Sequence, residues 1–332
     1  MYTTDRFAHC TPCRTVLATL AIWVAALCLL PSAPAVAEPA PTLTLSVLQF
    51  GTAHWELDHL QRRHLDEQHG FKLDLRLVAN LPASRLAVTS GTVAGAVADL
   101  LWAQSRFEAG DRYLYLPFSS QIGDVVVPAG SEIETLADLA GKRIGVAGGA
   151  DSKGWILLQR VARQQGVDLS TAQIQYAAPP LLNQALKRGQ LDAIVTYWHF
   201  AARLRGEGDM RSALRLSDLL GELSLDADLP VLGYVFSQPW AARHPQLLQR
   251  FAAALREAKQ ELATEPAYWF PLRPLMRNPE EATFRELRTG FVAGTPAPLD
   301  EARIADLQRL LGMVGASQDR VIDAGLFYRE FP

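Results

Sequence analysis

Four short stretches of this chain place glycines, hydroxyls and aromatic rings directly after an apolar run and directly before a helical pattern. The first is Gln49-Phe50-Gly51-Thr52-Ala53-His54-Trp55. Gly51 allows close backbone approach, Thr52 can donate or accept, and Trp55 either walls a cleft or anchors a helix to the core. The second is Ala98-Asp99-Leu100-Leu101-Trp102. Its Asp99 either binds a ligand ammonium or amide, or caps the helix that carries Trp102. The third follows the strand-like 142–147 and reads Gly148-Gly149, then Asp151, Ser152, Lys153 and Trp155. The fourth, Thr196-Tyr197-Trp198-His199-Phe200, sets three aromatics around one histidine. At each of these turns the first N–H groups of a helix have no partner within the helix, so they attract an oxygen-bearing or anionic group. Ser119 and Ser120 either add hydroxyls at the rim of such a site or form a plain surface turn.

Other chemistries are excluded by spacing. The third stretch is not a phosphate loop of the G-x-x-x-x-G-K-[ST] type, because Lys153 precedes Gly154 instead of following it, and it is not G-x-G-x-x-G. No G-x-S-x-G turn occurs. His59, His64 and His69 are five residues apart, so they do not share one helix face, and no metal or other cofactor is expected. The acidic pairs Asp66-Glu67 and Glu280-Glu281 lie on polar faces where solvation suffices. No catalytic set emerges.

Positioning these turns requires strands that alternate with helices. The patterns at 43–50, 71–79, 93–100, 113–118 and 125–127 read as strands, with helices at 55–68 and 82–90 between them. The alternation then restarts, with strands at 142–147, 174–176 and 191–197 and helices at 134–139, 153–165, 180–188 and 198–205. A strand at 231–236 follows, then a long amphipathic helix at 239–264 and helices at 282–291 and 300–311. Two such blocks imply two α/β lobes, each with a mostly parallel sheet. The last strand is expected to return to the first lobe. The chain then crosses between lobes near Pro128 and near Pro230, giving a first lobe at 38–128, a second at 129–229, and a return strand with C-terminal helices at 230–332.

Residues 1–37 carry Arg6 and Arg14, an apolar stretch at 16–30, Pro31, and small residues at Ala35 and Ala37. This is the pattern of a signal peptide cleaved between Ala37 and Glu38, the other reading being an uncleaved anchor. All three cysteines lie in that segment, so residues 38–332 have none. The remaining chain is mildly acidic and has no basic run, which argues against nucleic acid as a partner.

Three segments carry a resemblance. "SEIETLADLAGKRIGVAGG" from Ser131, "LLNQALKRGQLDAIVTYW" from Leu181 and "LAVTSGTVAGAVADLLW" from Leu86 resemble the periplasmic solute-binding proteins of ABC importers, in particular the NMT1/THI5-like group of sulfonate, taurine, nitrate and thiamine-pyrimidine binders. Ala94 stands where that group usually has an aspartate. The resemblance implies a two-lobe, type II-like periplasmic binding fold that closes on a small-molecule ligand. It also implies delivery to an ABC permease in the inner membrane by an exported monomer that is not an enzyme. The expected ligand is a small organic molecule with an aromatic or amphipathic body and one anionic group. Two alternatives stay open: a binding protein that presents its ligand to a membrane receptor, and a THI5-like pyrimidine-synthesis enzyme. The cysteine-free mature chain opposes the second of these.

Overall fold

A computed structural model of the chain describes residues 39–317 and 320–329. The signal segment and its cysteines lie outside the described residues, and no described helix is long and apolar enough to cross a membrane.

The described chain builds two five-stranded sheets. The first contains β1 (Thr42–Leu48), β2 (Lys72–Val78), β3 (Gly95–Asp99) and β4 (Tyr113–Ser119). Alternating apolar residues in β1 leave Leu43, Leu45 and Val47 fully buried. The second sheet contains β5 (Gly123–Pro128), β6 (Arg143–Ala147), β7 (Gln173–Ala177), β8 (Ala193–Tyr197) and β9 (Met210–Arg215). The last strand, β10 (Leu232–Ser237), returns to the first sheet, as the sequence implies. The strand orders are β2-β1-β3-β10-β4 and β7-β6-β8-β5-β9. In each sheet four strands run in one direction, and the fifth, entering from the other lobe, is inserted antiparallel between the last two of them.

Two expectations shift. The strand at 125–127 pairs with β8 and β9, so the first crossing lies at 120–122 and not near Pro128. Two adjacent apolar strands look like partners in sequence, but the connection between them is too short to show which sheet each joins. Gly123 makes the step possible. Its φ is +146°, and a Cβ there would sit 2.0 Å from the Thr196 carbonyl oxygen. β9 was not anticipated, because its sequence MRSALR mixes charge with apolar residues. The second crossing runs through 223–231, with Tyr115 Oη donating to the Pro230 carbonyl at 3.1 Å.

Local chemistry also divides two expected helices. The pattern at 55–68 becomes α1 (Thr52–Arg62) and α2 (Leu65–Gln68), separated by His64 in a left-handed conformation. The segment 239–264 becomes α9 (Gln238–Arg243) and α10 (Pro245–Thr264). The break falls at His244, because the residue before a proline is pushed out of the helical region. Between these lie α3 (Leu81–Thr89), α4 (Leu100–Glu108), α5 (Lys153–Gln164), α6 (Pro179–Lys187), α7 (Trp198–Glu207) and α8 (Asp218–Glu222). The C-terminal helices are α11 (Glu281–Ala293) and α12 (Glu301–Met313).

These C-terminal helices, expected on the first lobe, brace both. Arg205 of α7 bonds Asp124 of β5 and, at 2.9 Å, Glu286 of α11, so α11 lies along the second lobe. Its far end carries Phe291 into the first-lobe core, against Trp55, Phe118 and Trp269. Arg303 of α12 reaches Asp226 at 3.2 Å in the second crossing.

The first-lobe core encloses a charged group. Glu56 of α1 is fully buried, accepts from Tyr234 Oη at 2.6 Å, and lies 2.7 Å from Lys259 Nζ of α10. Lys259 also donates to the Phe118 carbonyl at 3.1 Å. This set ties α1, α10, β4 and β10 together. Burial pushes the Glu56 carboxyl upward, against the pull of Lys259 and the Tyr234 hydroxyl. Removing one partner of such a pair strands the other in an apolar core, at a cost of roughly 3–5 kcal/mol. Lys259→Met is therefore expected to lower unfolding free energy by about that amount in urea titration, with Glu56→Leu/Lys259→Met recovering much of it. A Lys259→Met protein as stable as the parent would rule out the pair as a structural tie.

Candidate ligand-binding site

The carboxyl ends of the parallel strands in both sheets face one cleft, and its volume is about 670 Å³. The helices that follow β1, β2, β3, β6 and β8 (α1, α3, α4, α5 and α7) begin at the cleft wall, which is the expected place for a ligand in open α/β sheets. α1 begins after Gly51, α5 after Ser152 and α7 after Tyr197, and none of the three has a side-chain cap. Their first-turn N–H groups and the positive ends of their dipoles are therefore available to an oxygen-bearing or anionic group. α4 differs. Its N-cap Asp99 accepts from the Trp102 amide at 2.9 Å.

Most sequence-predicted site residues meet at this cleft: Gly51, Thr52, Asp99, Trp102, Gly148, Gly149, Ser152, Lys153, Tyr197, Trp198 and His199 all line it. Two do not. Trp55 and Trp155 are each 1% exposed and belong to the cores. Trp55 packs edge-on against Trp198 and Trp269 with ring centres 6.1 and 6.2 Å away. Both tryptophans sit on the inward face of their helices, and that helical rotation is set by the sheet beneath. Ser119 and Ser120 are buried at the first crossing, where the Ser120 amide donates to the Gly294 carbonyl at 3.0 Å.

Arg85 was not anticipated. It lies on α3, where the sequence shows a helix but no glycine or aromatic turn. Its guanidinium donates to Asp99 Oδ2 at 2.8 Å and stands 5.9 Å from the centre of the Trp102 ring. Asp99 therefore has one oxygen on the helix cap and one on Arg85. Its signal in sequence was the cap, and the arginine fourteen residues earlier reaches it only through tertiary folding. Gln121 and Ile122 of the first crossing, Leu311 of α12 and Val314 just after it also line the cleft.

The second-lobe wall is dense in perturbed groups. Lys153 is half-buried and makes no ion pair among the described residues. Burial holds its ammonium below the usual lysine range, with Asp99 pulling the other way and Arg85 reinforcing the shift. Gly148 has φ +89°, and a Cβ there would lie 3.0 Å from Tyr197 Oη. That turn needs glycine both for its conformation and for the approach of the tyrosine. Tyr197 is raised by burial and by the nearby Asp99 and Asp151. The His199 ring lies 4.6 Å from that of Phe200 and near-parallel to Tyr197. Burial, with Arg203, Arg277 and Lys153 adding to it, lowers its pKa to about 3, so the imidazole is neutral at physiological pH. No group of three or more potential metal ligands occurs among the described residues.

Residues 117–268 match the family described as NMT1/THI5 like. A search of curated proteins finds no match to the chain. Among solved structures, the alkanesulfonate-binding protein SsuA from Xanthomonas axonopodis pv. citri, bound to MOPS, aligns with a TM-score of 0.66 and 21% identity. The alignment covers 88% of this chain and 99% of that one. The periplasmic aliphatic sulphonate binding protein SsuA from Escherichia coli aligns with a TM-score of 0.68 and 18% identity, over 85% of this chain and 97% of that one. A DszB variant in complex with biphenyl-2-sulfinic acid aligns at 0.58 and 18%, over 88% and 97%. The chain therefore has the two-lobe fold of periplasmic binding proteins. More narrowly, residues 117–268, the second lobe and the return to the first, are similar to the NMT1/THI5 like family model and include the motifs from Ser131 and Leu181, whereas the motif from Leu86 lies outside the matched residues.

The His199 pKa has a checkable consequence. The unfolded imidazole takes up a proton near pH 6.5, while the folded one does so only near 3. The unfolded state thus binds more protons between these values, and His199 lowers stability as pH falls through that window. His199→Gln is expected to reduce the loss of stability between pH 6.5 and pH 3, measured by urea unfolding at several pH values. Equal pH dependence in parent and variant would contradict a buried neutral imidazole.

Proposed function

We propose that this chain is an exported solute-binding protein that captures a small organic anion in the interlobe cleft and delivers it to an ABC permease of the inner membrane. The observation that carries this reading is the convergence of three uncapped helix N-termini and the unpaired Lys153 on one cleft between two lobes. Two crossings join the lobes, so closure on a ligand needs few backbone changes, at 120–122 and 223–231. The ligand makes contacts in the closed form that it cannot make in the open one, and that difference shifts the equilibrium. Trp102, Tyr197 and Trp198 supply an aromatic wall for its body. The neighbouring folds with MOPS and with biphenyl-2-sulfinic acid bound suit the same kind of ligand.

A binding protein fits the cleft better than an enzyme. His199 has no carboxylate or hydroxyl partner among the described residues, and residues 38–332 hold no cysteine nucleophile. In this reading residues 1–37 are removed on export, the mature protein works as a monomer, and no cofactor takes part. Presentation of the ligand to a membrane receptor uses the same cleft and stands as the alternative.

Thermal shift of the purified chain 38–332 against alkanesulfonates, arenesulfonates and carboxylates tests the proposal. A ligand at about 100 times its Kd adds about 2.7 kcal/mol of stability, a shift of several degrees. Lys153→Met is expected to abolish that shift without lowering the melting temperature of the free protein. A protein that no organic anion stabilises, or a Lys153→Met variant with full affinity, would overturn this reading.

A further inference from the structure

The cleft does not end at the helix N-termini. It continues as an arm along α4, whose residues Leu101, Gln104, Ser105 and Glu108 all line it. These positions are i, i+3, i+4 and i+7, so one whole face of the helix is turned toward the arm. From Leu101 to Glu108 that face is about 10 Å long. The C-terminal end of α12 at Leu311, with Val314, Gly315 and Ala316 just after it, lines the same space. The arm's inner part is apolar, with Leu101, Ile122, Ile156, Leu311 and Val314. A small void of about 30 Å³ beside it shares Leu101, Ile122, Lys153 and Val314 with the cleft. Along α4, Gln104 Nε2 donates to Glu108 Oε1 at 2.9 Å and to the Arg320 carbonyl at 2.7 Å. Both walls lie outside the family-matched residues 117–268.

We propose that the arm between α4 and α12 holds an extended apolar tail of the ligand, and that α12 sets the length of anion this protein selects. This rests on the reading of the cleft as an anion-binding site. The anionic head sits at the N-termini of α5 and α7 beside Lys153, and the tail runs past Ile122 toward Val314. The arm begins where the head site ends, and Lys153 borders both the cleft and the void beside the arm. A tail in the arm moves apolar surface out of water. Each added methylene therefore tightens binding about three- to fourfold until the arm is full. A short or doubly charged anion gains nothing there.

The test is a chain-length series, ethanesulfonate to octanesulfonate, titrated calorimetrically against the chain 38–332 and two variants that fill the arm. Val314→Trp projects from the α12 wall. Ser105→Trp projects from an exposed position of α4, away from the core. The expected result is affinity that rises along the series in the parent. In either variant, octanesulfonate should weaken more than tenfold while ethanesulfonate stays within about twofold. A flat series, or variants that weaken short and long sulfonates alike, would overturn the arm while leaving the anion site intact. Failure of every member to bind would overturn the anion site and the arm together.

Discussion

Everything at the cleft depends on one geometric constraint. A parallel strand delivers the chain to its carboxyl edge, and the helix that follows must start there with its first N–H groups unpaired within the helix. Two sheets facing edge to edge bring several such starts into one space. α1, α5 and α7 arrive without side-chain caps, so their positive ends add in the same place. The antiparallel strand in each sheet is what makes the two edges face. β5 and β10 each enter from the other lobe, so the sheets are joined by two short crossings and share a cleft between them.

The buried groups sort by the job their surroundings permit. Glu56 and Lys259 are deep in the first lobe, each satisfied by the other and by Tyr234 or the Phe118 carbonyl, and they hold four elements in register. Asp124 and Arg205 do similar work in the second lobe and tie α11 to it. At the cleft the pattern changes. Asp99 is occupied by a helix cap and by Arg85, while Lys153 has no such partner. A half-buried cation without a partner is costly to a folded protein that gains nothing from it. Its placement beside two helix N-termini is what one expects when an anion from outside completes the set.

The C-terminal helices join parts that the sheets leave apart. α11 runs along α7 of the second lobe and ends in the aromatic core of the first, where Phe291 meets Trp55 and Trp269. α12 is held to the second crossing by Arg303 and walls the outer cleft. Neither helix follows a parallel strand, so neither brings an N-terminus to the cleft. Of the two, α12 lines the cleft, at Leu311, and α11 does not.

The local order of strands, helices and turns was legible in the sequence, because apolar periodicity and the glycine, proline and cap residues act over a few residues. Gly148, Ser152, Lys153, Tyr197 and His199 could be placed at strand-to-helix turns on that basis, and the motifs from Ser131 and Leu181 suggested the fold. Pattern could not show which side of a helix faces the cleft, and so Trp55 and Trp155 went to the cores while Arg85, on an unremarked helix, came to the site. Nor could it show that 125–127 joins the second sheet, since pairing between strands is a long-range choice made by neighbours far along the chain. What the sequence determined by itself was a set of turns able to donate to an oxygen-bearing group. Only the tertiary structure decided that they converge, that Asp99 is already taken by Arg85, and that α12 closes the far side, because each of these depends on contacts between residues remote in sequence.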